Sequence, residues 1–548
     1  MPFSLAEVQE TVAAAIPDRP ALRFRDRRYS FAEVNQRTRR FANLLLSLGV
    51  QPPVPRADLA NWQSGQDHVA LYLQNGNEYL EAMLGSMKAR AVPFNVNYRY
   101  VAEELRYLLT NADTRIIVYH ARYAPLLGSL LKDLPAQKAL IQVADDSDEP
   151  LLPQALDYET ALAGAPDDLP PTEPSADDLY MLYTGGTTGM PKGVLWRQGD
   201  ILASALGGRD RDGEVLSSLA DFANRARAIQ PRRYLPTPPF MHGTAQWIGL
   251  SAWHSGHAIV IQDDVDRFNP DHLLDVIARE QVHVLSLVGN AFAKPFLASL
   301  AHAPERAGSL THILNGGAGM SAATKADLLA ALPNVQIIDT IGSSEAGPLA
   351  RQTTRTAAQS GAPPRQMGGS TVLTPDRSGL ARPGDPDLGW LAKHGHVPLG
   401  YLNDPDKTSD TFPVVDGIRY AVPGDRVRLL ENGQLDFQGR DSSAINTGGE
   451  KVFAEEVEHA LARHPDIADV LVSSRASERW GQEVVALVAL KPGRVPETAA
   501  LLAIAAEQIA RYKLPKAVLF VDAIRRHDNG KPDYRWAQKM AEASLKAG

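Results

Sequence analysis

The stretch "YTGGTTGMPKG" (residues 183–193) sets four glycines, three threonines and one lysine in eleven positions. Bare backbone amides with a cation at their end can wrap an anion closely, so the composition points to phosphate binding. It is not the widespread P-loop spacing. That pattern is G-x-x-x-x-G-K-[ST], whereas here Met190 and Pro191 separate Gly189 from Lys192, and Gly193 stands where the hydroxyl residue belongs. The preceding "DLYMLY" reads as a strand. It would aim the hydroxyls of Thr184, Thr187 and Thr188 out of a sheet edge, where α/β proteins bind ligands.

Outward from the loop, short runs rich in β-branched and aromatic residues recur: "HVALYL" (68–73), "RIIVYH" (115–120), "HAIVIQ" (257–262), "HVLSLV" (283–288), "THILNG" (311–316) and "VQIIDTIG" (335–342). Helical periodicity lies between most of them. That alternation predicts parallel α/β sheets covered by helices. Ser30 and Glu33 have capping-box spacing, and Phe31, Val34, Phe41, Leu44, Leu45 and Leu48 share one face of a helix that Gly49 ends. Residues 51–66 and 351–388 are rich in Pro, Gly, Gln and Ser and read as surface loops. "ENGQLDFQGRDSS" (431–443) reads as a hairpin and polar hinge. The expected division is a body over 1–438, a hinge over 439–443 and a C-terminal α+β domain over 444–548.

With 548 residues, one core is too few. A net charge of -8 argues against a nucleic-acid partner. Cysteine is absent, so disulfides, thiolate zinc sites and a cysteine nucleophile are excluded, and any thiol chemistry must use a substrate's thiol. Glu7 and Glu10 interrupt the opening stretch where a secretory signal would be apolar. "GTAQWIGLSAWHSGHAIVIQ" (243–262) reads as a buried helix, a turn and a strand, not a membrane span. A cytoplasmic protein is the expectation, and a homodimer is allowed.

The glycine loop resembles the signature T-S-G-T-T-G-x-P-K-G of the adenylate-forming superfamily, with Gly185 in place of the serine. The superfamily's other marks follow in order: "PPFMHG" (238–243), "NGGAGMS" (315–321), "IGSSEAG" (341–347), "YAVPGD" (420–425), "GRDSSAINTGGEKVFAEEVE" (439–458), "YKLP" (512–515) and "NGKPDYR" (529–535). The resemblance spans essentially the whole chain. It implies a large N-terminal domain of helix-covered parallel and mixed sheets, with a distorted barrel, and a smaller mobile C-terminal α+β domain.

It also implies roles. ATP or AMP would be held by Thr184, Gly185, Gly186, Thr187, Thr188, Gly189, Lys192, Gly317, Ala318, Ile341, Gly342, Ser343, Ser344, Asp425, Arg440 and Lys531, with Asp425 on the ribose and Lys192 on the departing pyrophosphate. Glu345, a hard oxygen ligand, would hold Mg²⁺ together with Thr184. His242 would border the carboxylate, and Trp247, Val288, Gly289 and Gly317 would line the acyl pocket. Gly289 would leave room for a bulky group. Lys531 would be the catalytic cation, stabilising charge that builds as a carboxylate attacks the α-phosphorus. Gly448, Gly449, Glu450 and Lys451 would meet CoA, the glycine pair letting a pantetheine arm pass.

The pattern is broken in places. Ile341 replaces the usual aromatic residue, Ser344 the threonine and Pro423 the threonine of T-G-D, while Ser443 falls at the hinge position commonly held by Asp or Lys. "INTGGEKVF", "GMPKGVLWR" and "GKPDYRWA" point to bacterial acyl-CoA synthetases acting on fatty acids or steroid side-chain carboxylates. The leading expectation is an ATP-dependent acid–thiol ligase using ATP and CoA. An acyl-AMP ligase serving a separate carrier protein, a ligase for aromatic acids and a binding protein without turnover remain the alternatives.

Overall fold

The computed structural model describes residues 1–134, 137–185, 190–320, 322–440, 444–495, 497–525 and 533–545. Six adjacent parallel strands form the middle of the largest sheet: Pro20–Phe24, Ala258–Ile261, Arg233–Leu235, Val284–Leu287, His312–Asn315 and Gln336–Ser343. These are the apolar runs of the sequence. A parallel strand is covered on both faces and so reads as continuous hydrophobicity. Antiparallel strands Arg27–Ser30 and Gly347–Thr354 flank that block. A second sheet, Val92–Asn95, His68–Tyr72, Thr114–His120, Ala139–Val143 and Leu156–Asp157, is parallel throughout.

The helix at Phe31–Ser47 begins on the Ser30–Glu33 capping box, buries Phe31, Val34, Phe41, Leu44 and Leu45, and gives way to Gly49 at φ 85°. Residues 243–262 are a helix, Gly243–His254, followed by the strand Ala258–Ile261. Among the described residues, no helix is long and apolar enough to cross a membrane.

The strands expected in a distorted barrel pair in two antiparallel sheets. One joins Leu179–Gly185, Pro191–Arg197 and Gly400–Tyr401; the other includes Ser370–Leu373, Gly389–His394, Ile418–Ala421, Asp425–Leu429 and Leu435–Arg440. The expected loop over 351–388 is therefore corrected in part. Its start continues the strand Gly347–Thr354, where Leu349 and Ala350 are buried, and Ser370–Leu373 is a strand too. Polar residues at a sheet edge had imitated loop composition.

Beyond the hinge, Ala444–Thr447 with Glu450–Phe453 and Ile467–Ser477 with Gly481–Leu490 make antiparallel pairs, joined in parallel by Ala517–Phe520. Val452, Val457, Leu461, Val472, Ala486 and Leu501 give this small lobe a hydrophobic cluster of its own. The hinge candidate Ser443 lies outside the described residues.

Candidate active site

Four neighbouring parallel strands bring the sequence motifs to one edge. Gln336–Ser343, His312–Asn315, Val284–Leu287 and Arg233–Leu235 lie side by side. The segments leaving their carboxyl ends contain Ser344 and Glu345, Gly316 and Gly317, Val288 and Gly289, and the run to His242. Ligands of open α/β sheets bind outside such strand ends. A cavity of about 420 Å³ opens there, lined by Thr184, His242, Trp247, Gly317, Gly342, Ser343 and Ser344 of the large lobe and by Gly449, Glu450 and Lys451 of the small one.

The glycine loop is the turn between two antiparallel strands, paired up to Thr184–Lys192 and Gly185–Pro191. A P-loop runs from strand into helix; this loop has no helix directly behind it, so anion binding rests on its amides, hydroxyls and cations. Gly186, Thr187, Thr188 and Gly189 lie outside the described residues, as does Lys531. The base of the loop is fixed by the buried Asn95. Its Nδ2 donates to the Tyr183 carbonyl at 2.9 Å and the Met241 carbonyl at 2.7 Å, and its Oδ1 accepts from the Tyr183 amide at 2.8 Å. One amide thus ties the loop strand to the segment that ends in His242. Asn95 was not a sequence candidate.

Lys192 is placed beside Asp404, Nζ to Oδ2 2.6 Å, and over the Tyr401 ring. The same Tyr401 hydroxyl donates to Glu345 Oε1 at 3.1 Å. Asp404 is the N-cap of Pro405–Thr411, and Lys192 with two local hydrogen bonds holds its carboxyl below the usual range although burial opposes this. Asp425 is buried, its strand residue directly opposite Arg440.

Ile341 packs against the large-lobe core, on the opposite side of its strand from Thr340, which lines the cavity. Ala318 gives its carbonyl to Asn315 Nδ2. Gly289, at φ 54°, has a different use from the expected one. A Cβ there would come within 2.6 Å of the Gly319 carbonyl, so its bareness serves backbone packing, not acyl volume.

Gly448 and Gly449 form the two-residue turn between Thr447 and Glu450, both at positive φ, which two-residue hairpins demand. A Cβ on Gly448 would strike the Trp480 ring at 2.6 Å, and one on Gly449 would meet Val288 Cγ1 at 2.4 Å. The turn therefore presses directly on the large lobe. Glu450, next along, puts Oε1 3.1 Å from His242 Nε2 and against the Arg99 guanidinium. Burial alone would raise the Glu450 carboxyl; His242, Arg99 and Lys513 outweigh it and bring it down to about 2. Trp247 Nε1 donates to the Tyr180 hydroxyl at 3.1 Å while its ring lines the cavity.

Arg99, Tyr512 and Lys513 were missed as site residues. Arg99 lies over the Tyr512 ring, and the Tyr512 hydroxyl accepts from Asn97 Nδ2 at 3.1 Å. Lys513 joins Glu104 of the large lobe and Glu456 of the small one. "YKLP" marked the last two by resemblance. No local signal marks Arg99, whose partner is hundreds of positions away.

Behind the Ser343–Gly347 turn sits another buried cation. Lys393 donates to Ser204 Oγ at 2.8 Å and to the Pro348 carbonyl at 3.0 Å, and burial, helped by Arg209, lowers it from 10.5 to about 7. Between those values the unfolded chain binds one more proton than the folded chain, so stability rises with pH in that window. Lys393→Met is expected to flatten the slope of urea midpoint against pH between about 7 and 10; an unchanged slope would show that Lys393 stays protonated in the fold.

The chain matches the AMP-binding enzyme family over residues 9–375 and the AMP-binding enzyme C-terminal domain over 456–531. It is 45% identical over 540 residues to "Medium-chain acyl-CoA ligase Mig" of Mycobacterium avium, covering 98% of both chains. It is 38% identical to "Medium/long-chain-fatty-acid--CoA/3-oxocholest-4-en-26-oate--CoA ligase" of Mycobacterium tuberculosis, covering 99% of this chain and 96% of that one. Its fold is that of the amide bond synthetase McbA from Marinactinospora thermotolerans, with a TM-score of 0.78 at 20% identity over 98% of this chain and 99% of the other. The chain belongs to the AMP-binding enzyme family and, within the adenylate-forming superfamily, is an AMP-forming acyl-CoA synthetase.

Proposed function

We propose that this chain activates hydrophobic carboxylic acids, namely medium- and long-chain fatty acids or steroid side-chain carboxylates, and transfers them to CoA in the cytoplasm. The observation that carries the reading is the small-lobe hairpin seated at the cavity mouth. There Glu450 meets His242 and the Gly448–Gly449 turn touches Val288. This places the proposed CoA-binding segment beside the proposed acyl site, as the second half-reaction requires.

In the first step a carboxylate oxygen attacks the α-phosphorus of ATP and pyrophosphate leaves. The loop amides and threonines would hold the phosphates, with Asp425 on the ribose and Lys531 stabilising the charge that builds at phosphorus. Among the described residues, no group of three or more His or acidic side chains gathers as a metal cage. Glu345 with Thr184 is nevertheless a fitting donor set for Mg²⁺, which is usually held by one or two carboxylates plus phosphates; the ion supplies neutralisation of phosphate charge. In the second step the CoA sulfur attacks the acyl carbon and AMP leaves. Because the chain has no cysteine, that thiol is wholly the substrate's.

The test is a panel of aliphatic, aromatic and steroid-side-chain acids, scored for acid-dependent exchange of labelled pyrophosphate into ATP and for CoA-dependent AMP release. Medium- or long-chain aliphatic and steroid acids should give both signals. Exchange without CoA-dependent release would assign the acyl group to another acceptor, and neither signal with any acid would remove the proposal.

A further inference from the structure

The cavity does not stop at the catalytic edge. Ile338 and Thr340, on the strand that ends at Ser343, also line it, together with Tyr234 from two strands away. Thr340 lies three residues before Ser343, about 10 Å back along the strand. An acid with its carboxyl at the strand ends would run its tail along this sheet face.

Arg351 stands at that depth. It is directly opposite Thr340 in the antiparallel ladder, so both side chains project from one face, and it too lines the cavity. Among the described residues it has no hydrogen bond and no carboxylate within ion-pair distance, and neither does Arg365, its neighbour on the next strand. The guanidinium is enclosed enough that burial alone lowers its pKa from the ordinary arginine value, yet the residue keeps accessible surface, as a side chain lining a cavity does. Most arginines of this chain that are withdrawn from solvent are matched: Arg37 holds Glu81 and Glu159, and Arg90 holds Asp178. A partly desolvated guanidinium with its donors aimed at a cavity calls for an acceptor from the ligand.

We propose that Arg351 is a specificity-determining residue that receives a carbonyl oxygen at the end of the acyl substrate remote from the activated carboxyl. The preferred acids are therefore hydrophobic ones bearing a distal ketone, rather than plain alkanoates. This rests on the acid–CoA ligation proposed above and narrows its substrate class.

The experiment measures CoA-dependent AMP release for a graded series of straight-chain alkanoates and methyl-ketone acids of equal length. At the length that reaches Arg351, wild-type kcat/KM should favour the ketone by about tenfold or more, the size of a hydrogen bond to a charged group. Arg351→Met should bring the ketone-to-alkanoate ratio to about one, and Arg351→Lys should recover part of it. A wild-type ratio at or below one for every length, or a ratio unmoved in Arg351→Met, overturns the proposal while leaving the ligase reading intact. Release with none of the acids would remove that reading and this inference with it.

Discussion

Lys513→Met is expected to slow the CoA-consuming half-reaction by about a hundredfold or more, with a much smaller effect on acid-dependent pyrophosphate exchange. Lys513 Nζ lies 2.6 Å from Glu104 Oε1 and 2.7 Å from Glu456 Oε2. Glu104 stands on the large-lobe helix Ala102–Asn111, and Glu456 on the small-lobe helix Ala454–Leu461. The three side chains are 3–5% exposed, so this cation pins two helices together almost out of reach of water. Burial opposes its charge, but Tyr512, Glu456 and Glu104 more than compensate, and its pKa stands well above the lysine value.

Removing the cation leaves two buried carboxylates facing each other, a loss of about 3–5 kcal/mol for a broken buried pair. That penalty falls on the lobe arrangement in which they meet, and only the step that uses this arrangement should pay it in rate. Single-turnover conversion of supplied acyl-adenylate isolates that step. Adding Glu104→Gln and Glu456→Gln should restore much of the rate, because neutral replacement of a whole buried ionic cluster is tolerated where loss of one partner is not. A single variant within about threefold of wild type would mean that the docked arrangement is not on the reaction path.

The sheets were legible because they obey local rules. "HVLSLV" and "THILNG" are short apolar runs in sequence and adjacent buried strands in the fold. The Ser30–Glu33 capping box is likewise a three-residue affair. The phosphate loop and the glycine pair were legible because bare backbone is rare and positional. What the sequence concealed is pairing at long range. Arg99 and Glu450 are separated by 351 positions, and Asn95 joins two segments that the chain reaches 88 and 146 residues later. A single arginine or asparagine carries no mark of such a partner. Gly289 failed in another way: its bareness was visible, but only the fold discloses that the space belongs to the Gly319 carbonyl.

Gly449 has the same ambiguity, and a substitution resolves it. Gly449→Ala is expected to reduce the rate of thioester formation by about thirtyfold, through two separable costs. The residue sits at φ +87°, where an L side chain costs about 1–2 kcal/mol. Its Cβ would also lie 2.4 Å from Val288 Cγ1, with Val288 Cβ at 3.3 Å and Cγ2 at 3.8 Å, so rotating the valine brings another methyl or the branch point into the same space. Overpacking of this kind adds about 1–3 kcal/mol. At the low end the two sum to about 2 kcal/mol, which is about thirtyfold in rate. Val288→Ala in the same chain removes the steric part but not the backbone part, so the double variant should fall between the single variant and wild type. If Val288→Ala gave no recovery, the loss would lie in the turn itself or in passage of the pantetheine arm, not in contact between the lobes. If Gly449→Ala left the thiol step unchanged, the hairpin would have to leave Val288 during catalysis, and the arrangement of Glu450 against His242 would belong to a resting enzyme.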